Sequence, residues 1–182
     1  MDIQEQIAFL EELLDSDQKY REELFAAKTE EQKQTALKLM VEQDEINLQK
    51  FIHFVETYGW PNRTVHGEKG SDVAFLIIQH SKLELMEKYL PLLKEKANQG
   101  EANPKHSGMM EDRILMWQNK KQKFGSQAMG NAKLGKSHIW PIEDVENVNS
   151  RRLEAGFNET IEEYAARADY VFDPTLKISD FS

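Results

Sequence analysis

The apolar residues of the first hundred positions recur every three or four places, and this spacing constrains the fold more than any other feature of the chain. Such spacing puts apolar side chains on one face of an α-helix. It predicts one helix near the N-terminus and a second that begins after Thr29. A third begins near Ser71 or Asp72, and its helical pattern continues to Gly100, with a kink or restart at Pro91.

Two short motifs mark the ends of the second helix. Thr29 and Gln32 have the spacing of a capping box, in which each side chain binds the other residue's backbone amide. Gly59 supplies a residue that tolerates a left-handed conformation, and Pro61 prevents the helix from continuing.

Beyond Gly100 the apolar period changes. Alternation from Ile114 to Gln118 predicts a strand, Asn119 and Lys120 a turn, and Lys121 to Gln127 the returning strand. Two further helices are expected toward the C-terminus. The predicted fold is mainly α: a single domain over residues 1–182, with a helical bundle-like core, one β-hairpin and a loosely packed tail over residues 170–182.

Composition excludes several classes of protein. The net charge of −9 argues against nucleic-acid binding, which requires basic surfaces. Without cysteine there are no disulfides and no thiolate catalysis. The N-terminus lacks the basic region of a signal peptide, and no apolar run approaches the ~20 residues of a membrane span. We therefore expect a cytoplasmic protein with no membrane partner; the sequence leaves the oligomeric state open.

Polar residues interrupt the apolar faces of the first two helices. Asp17 and Arg21 continue the face set by the leucines of the first helix, and Asp44 and Asn47 lie on the inward face of the second. An inward charge is costly unless it is paired. The residues therefore form either a structural network or a polar pocket between helices, where ligands commonly bind.

His80 follows the buried segment of the third helix. It is either a hydrogen-bonded core residue or a general base whose orienting partner is Asp44 or Asp17. The catalytic candidates are therefore His80, Asp44 and Asp17. These three could also hold a divalent ion. Since no two histidines are three or four residues apart, the prediction is no metal and no cofactor.

Arg151 and Arg152 form a basic pair on a predicted helix. Adjacent helical residues point about 100° apart, so at most one of them is expected to face inward. The pair either lies on a solvated helix face or provides a guanidinium that holds a carboxylate or phosphate.

Eight short motifs in order resemble an uncharacterised bacterial family, a domain of unknown function: DQKYR, DEIN, YGWP, IIQH, EDRI, Q-x-FGSQ, PIED and VNSRRLEAGF. The resemblance extends from about Asp17 to Tyr164. The family pattern has tyrosine at Phe124, threonine at Ser126 and aspartate at Asn149. The resemblance implies no activity, but it implies that the polar positions belong to one set. Besides the catalytic candidates, the set comprises the predicted ligand-binding residues Arg21, Asn47, Asp112, Arg113, Gln122, Gln127, Arg151 and Arg152.

The predicted function is to bind or process a small anionic ligand. The hairpin, with Asp112 and Gln127 near its ends, would form the wall of the pocket opposite the polar helix residues. The alternative is a protein-interaction or regulatory protein, similar to an immunity protein, in which the buried polar network is structural. Whether the chain is an enzyme stays open.

Overall fold

The computed structural model describes residues 1–130 and 135–181 and divides the chain into two compact units. The N-terminal unit is Met1–Ala102, and the C-terminal unit begins at Asn103. Helices dominate both units, so the predicted fold class, mainly α with one β-hairpin, is confirmed. Within the described ranges, every helix is too short or too polar to cross a membrane.

Four helices build the N-terminal unit: α1 (Ile3–Ala26), α2 (Glu30–Tyr58), α3 (Arg63–Gln79) and α4 (Leu83–Asn98). Helices α1, α2 and α3 pack against one another, and α4 packs against α3. The predicted helices are confirmed. Phe25, Leu37 and Val41 of the predicted apolar faces are exposed, whereas other residues of these faces are fully buried. They include Leu10, Leu13, Phe51, Phe54, Val73, Ile78, Met86 and Leu93.

The predicted ends of α2 are confirmed. The hydroxyl of Thr29 accepts from the Gln32 amide, and the Gln32 side chain accepts from the Thr29 amide. Gly59 ends the helix with a φ of 83°, in the region that favours glycine.

Helix α3 begins eight residues before the predicted start at Ser71. Asn62 caps it by accepting from the Val65 amide, and Gly67 interrupts it with a φ of 73°. The sequence from Arg63 to Gly70 has no apolar face, so the spacing did not reveal this first part. Helix α4 runs through Pro91 without the predicted restart.

The strand predicted from Ile114 to Gln118 is wrong, because helix α5 (Pro104–Trp117) covers it. Asn103 caps α5 and Pro104 occupies its first turn, a strong helix start. Met110 and Ile114 are buried four residues apart, as on one helix face. Alternation over so few residues is compatible with a strand as well as with a helix. The packing of the buried face of α5 selects the helix.

The hairpin lies further along the chain, between β1 (Ala128–Met129) and β2 (His138–Ile139). The strands are antiparallel, with Ala128 opposite Ile139. The glycine-rich sequence from Ala128 to His138 predicts a loop, and residues 131–134 of it lie outside the described residues.

Two short helices complete the C-terminal unit, α6 (Val148–Glu154) and α7 (Ile161–Arg167). The hydrophobic core of this unit contains Ile139, Val148 and Ile161. In the segment predicted as a loose tail, the backbone of Val171 bonds to Ile139 and Ser137.

Candidate functional site

Asp17 is the buried centre of a polar cluster in the N-terminal unit. It lies on α1 with 1 % of its surface exposed. One carboxylate oxygen, Oδ1, is 3.1 Å from Nδ1 of His80, and the other accepts from the Gln18 side chain at 2.7 Å. Since an ionised carboxylate only accepts hydrogen bonds, Nδ1 of His80 carries the proton.

Arg21 joins the carboxylates of α1 and α2. Its Nη1 donates to the backbone oxygen of Asp17 at 2.6 Å and lies 3.4 Å from Oδ1 of the same residue. Its Nη2 lies 2.9 Å from both carboxylate oxygens of Asp44, but only Oδ2 has hydrogen-bond geometry. The guanidinium therefore holds two acids of different helices at one place.

His80 caps the C-terminal end of α3, with a φ of −93° and a ψ of 0°. The apolar segment before it fixes α3 in the core, so the ring is presented beside α1. Its side chain is 17 % exposed, and among the described residues Nε2 has no hydrogen-bond partner. One ring nitrogen is thus held by a buried acid while the other is available.

Asn47 extends the cluster on α2 and is fully buried. Its Oδ1 accepts from the Ser16 hydroxyl at 2.8 Å and from Gln43 at 2.9 Å. Its Nδ2 has no partner within the described part of the chain. Through Ser16, the neighbour of Asp17, the five polar residues predicted from the helices lie in one region.

Asp17, Asp44 and His80 each offer a ligand atom, and these atoms lie within 4.8 Å of one another. Two carboxylates and an imidazole suit a divalent ion. The guanidinium of Arg21 already contacts both carboxylates, and its charge would repel a cation. A metal would bind here only if Arg21 moved away.

In the C-terminal unit, Asp112 binds backbone amides. Its buried carboxylate accepts from the amides of Lys123, Phe124 and Ser126, at 2.7 to 3.2 Å, and from the Ser126 hydroxyl at 2.9 Å. Burial outweighs these hydrogen bonds and raises the pKa of Asp112 to about 6. The carboxylate thereby fixes the loop that contains FGSQ.

The two predicted glutamines hold the other side of that loop. Gln122 is fully buried; it donates to the carbonyl oxygens of Gln127 and Trp140 and accepts from the Gln127 amide. The side chain of Gln127 makes longer bonds, at 3.2 Å to Ser126 and 3.4 Å to Met109.

The two arginines of α6 face different ways, as predicted for adjacent helical residues. Arg151 is half-buried; it pairs with Asp144 at 2.9 Å and donates to the Glu143 carbonyl oxygen. Arg152 is buried and donates to the carbonyl oxygens of Glu159 and Phe124. Arg113 lies half-buried on α5.

The predicted site residues thus form two sets. The helix residues meet in the N-terminal unit, and the residues of the proposed pocket wall lie in the C-terminal unit. The structure describes the contacts of each set within its own unit, so the wall remains a prediction.

A cavity of about 100 Å³ in the C-terminal unit contains one predicted residue, Arg152. Sequence reasoning missed its other polar lining residues, because they come from separate segments of the chain: Lys105, Ser126, Asn158, Glu159, Tyr164 and Arg167. Only the spacing of Tyr164 and Arg167, one turn apart on α7, hinted at a shared surface. A larger groove of about 470 Å³, lined in part by Glu23 and Gln32, contains none of the predicted residues.

The fold and clusters define a mainly helical protein with one short hairpin and a buried polar network in each of two units. The family of unknown function DUF6624 matches residues 2–176, and the chain belongs to this family. No curated protein and no solved structure matches the chain.

Proposed function

We propose that the N-terminal unit binds a small polar molecule beside His80 and that His80 acts on it as a general base. The contact that supports this most directly is the hydrogen bond between Nδ1 of His80 and the buried carboxylate of Asp17, at 3.1 Å. With Nδ1 protonated, the neutral ring has its lone pair on Nε2. A proton acceptor near neutral pH is what general-base catalysis requires.

Asp17 is the positioning residue. When Nε2 takes a proton from an O–H or N–H group of the ligand, the ring becomes an imidazolium. The carboxylate 3.1 Å away stabilises that positive charge, and the proton later leaves Nε2 for the product or water. Because Asp17 is 1 % exposed, solvent screens this interaction little.

Arg21 and Asp44 complete the site. Arg21 holds Asp17 in place, since its guanidinium contacts both the carboxylate and the backbone oxygen. Asp44 is 19 % exposed, and its Oδ1 accepts no hydrogen bond within the described residues. Because that oxygen is buried beside Nη2 of Arg21, at 2.9 Å, the role of Asp44 is to fix the guanidinium.

Charge restricts the ligand. Two carboxylates face one guanidinium, so the cluster is acidic while His80 is neutral. Acidic surroundings repel anions. The ligand we propose for this site is therefore an uncharged molecule that carries an O–H or N–H group.

The test compares the purified full-length protein with His80→Gln and with His53→Gln. His53 is an exposed histidine on α2, outside the cluster. Each protein is incubated with a small-molecule extract, and proton NMR follows the depletion of individual compounds. Wild type and His53→Gln should deplete the same compound, and His80→Gln should leave it unchanged. Equal depletion by all three proteins, or none by wild type, would exclude the proposed role of His80.

A further inference from the structure

Arg152 is a buried cation whose hydrogen-bonding capacity is only partly used. It is 1 % exposed, and its Nε and Nη1 donate to carbonyl oxygens at 2.9 and 2.7 Å. The guanidinium lies over the rings of Phe157 and Tyr164, at 4.6 and 5.4 Å from their centres. Its Nη2 has no partner among the described residues. A buried donor without a partner calls for an explanation, such as a bound water or ion.

No carboxylate of the described residues neutralises Arg152 within 4.0 Å. The nearby acid Glu159 is bound by Arg167 through two nitrogens, at 3.0 and 2.7 Å. Asp112, the other buried acid of this unit, is occupied by backbone amides. Because an unpaired buried charge costs several kcal/mol, a guanidinium in this position favours an external anion.

The cavity beside Arg152 has an excess of positive charge. Lys105, Arg152 and Arg167 line it together with the single carboxylate of Glu159. The hydrogen bond from Arg167 is the largest cause that lowers the pKa of Glu159, and the charges of Arg167, Arg152 and Lys105 lower it further. All three cations therefore lie near the Glu159 carboxylate. In a chain of net charge −9, such a cluster is a local exception.

The size of the cavity limits the ligand. A volume of about 100 Å³ is the volume that roughly three molecules occupy in liquid water. Pockets for drug-sized ligands have at least ~300 Å³. The space is suited to a small oxyanion, or to one anionic group at the end of a larger molecule that extends past the exposed Arg167.

We propose that the cavity of the C-terminal unit binds a phosphate or carboxylate group. Nη2 of Arg152 binds the anion at the buried end, and Lys105 and Arg167 attract it from the rim. Stacking on Phe157 and the two hydrogen bonds to carbonyl oxygens fix the guanidinium before the anion binds. Binding therefore costs little side-chain conformational entropy. This site is independent of the general base proposed for His80, and either proposal can fail without the other.

Isothermal titration calorimetry of the full-length protein at low salt tests the proposal, with inorganic phosphate and acetate as separate probes. Lys105→Gln removes a rim charge that makes no hydrogen bond within the described residues. Arg152→Lys keeps the buried charge but removes the planar guanidinium. Lys136→Gln is the control, because this exposed lysine of the same unit pairs with Asp169 at the surface and does not line the cavity.

Wild type and Lys136→Gln should bind at least one of the two anions with equal affinity. Lys105→Gln and Arg152→Lys should weaken that binding by about tenfold or more. Tighter binding of phosphate would identify a phosphoryl group as the ligand, and tighter binding of acetate a carboxylate. Since Arg152→Lys also perturbs the loop, Lys105→Gln decides the outcome. Absence of binding in wild type, or equal affinity in Lys105→Gln, would overturn the proposal.

Discussion

Nδ1 of His80 lies 3.1 Å from Oδ1 of Asp17, although the two residues are 63 positions apart in the chain. The end of α3 supplies the histidine and the middle of α1 supplies the acid. An exposed pair of this kind would contribute little to stability. Here the acid is buried, which fixes the orientation of the ring.

Arg21 should be essential for the stability of the N-terminal unit. Arg21→Ala leaves the buried Asp17 and the half-buried Asp44 without their shared cation. We expect the free energy of unfolding, measured by urea denaturation, to fall by about 2–3 kcal/mol. Lys50→Ala is the matched control: its pair with Glu12 is exposed and 3.7 Å long, so its removal should cost less than about 0.5 kcal/mol. Similar values for the two variants would contradict the bridging role of Arg21.

Asp112→Asn should destabilise the FGSQ loop. The carboxylate binds three amides and a hydroxyl, whereas asparagine offers one acceptor oxygen and adds two donors. We expect a loss of about 2 kcal/mol at neutral pH, because at least one buried donor loses its partner. Asp169→Asn, at an exposed residue whose positive φ of 54° asparagine tolerates, should change little. A neutral outcome for Asp112→Asn would mean that other groups hold the loop.

The pH dependence of the same variant reports on the charge of Asp112. The folded-state pKa of about 6 lies above the ordinary 3.8, so folding favours the protonated acid. The contribution of Asp112 to stability is therefore complete below pH 3.8 and is lost as the pH rises through about 6. The advantage of wild type over Asp112→Asn in unfolding free energy should therefore shrink over this window, by about 1–3 kcal/mol. An advantage that grew with pH would show that the four hydrogen bonds outweigh burial.

Gln122 should contribute more to the free energy of unfolding than Gln127, although both glutamines are buried. Gln122→Ala removes three hydrogen bonds of 2.6 to 2.9 Å. The Trp140 carbonyl group and the Gln127 amide lose their partner, whereas the Gln127 carbonyl group keeps its hydrogen bond from the Trp140 amide. The expected loss in unfolding free energy is about 3 kcal/mol. Gln127→Ala removes only bonds of 3.2 and 3.4 Å and should cost about 1 kcal/mol. Lys121→Ala, at an exposed neighbour, serves as the control; the reverse order of the glutamines would contradict the described network.

The sequence predicted the structure best where one physical signal acted over many residues. The long apolar faces of α1 and α2 revealed both the helices and the inward positions of Asp17 and Asp44, which indeed meet. Helix α5 was missed because the alternation from Ile114 to Gln118 favoured a strand, although Asn103 and Pro104 together are a helix start. Strands of two residues, such as β1, are too short to show an alternating period. The cavity beside Arg152 joins three distant segments, and no local pattern predicts such an encounter.

In the proposed site, Asp17 holds His80 with Nε2 free to accept a proton. Nitrogen-15 NMR of the histidine rings at alkaline pH measures this directly, because the two nitrogens of a neutral imidazole differ in chemical shift when one is protonated. In wild type, His80 should be the tautomer with the proton on Nδ1, and in Asp17→Ala that preference should disappear, while the exposed His53 stays unchanged. A wild-type His80 with its proton on Nε2 would contradict the proposed role of Asp17.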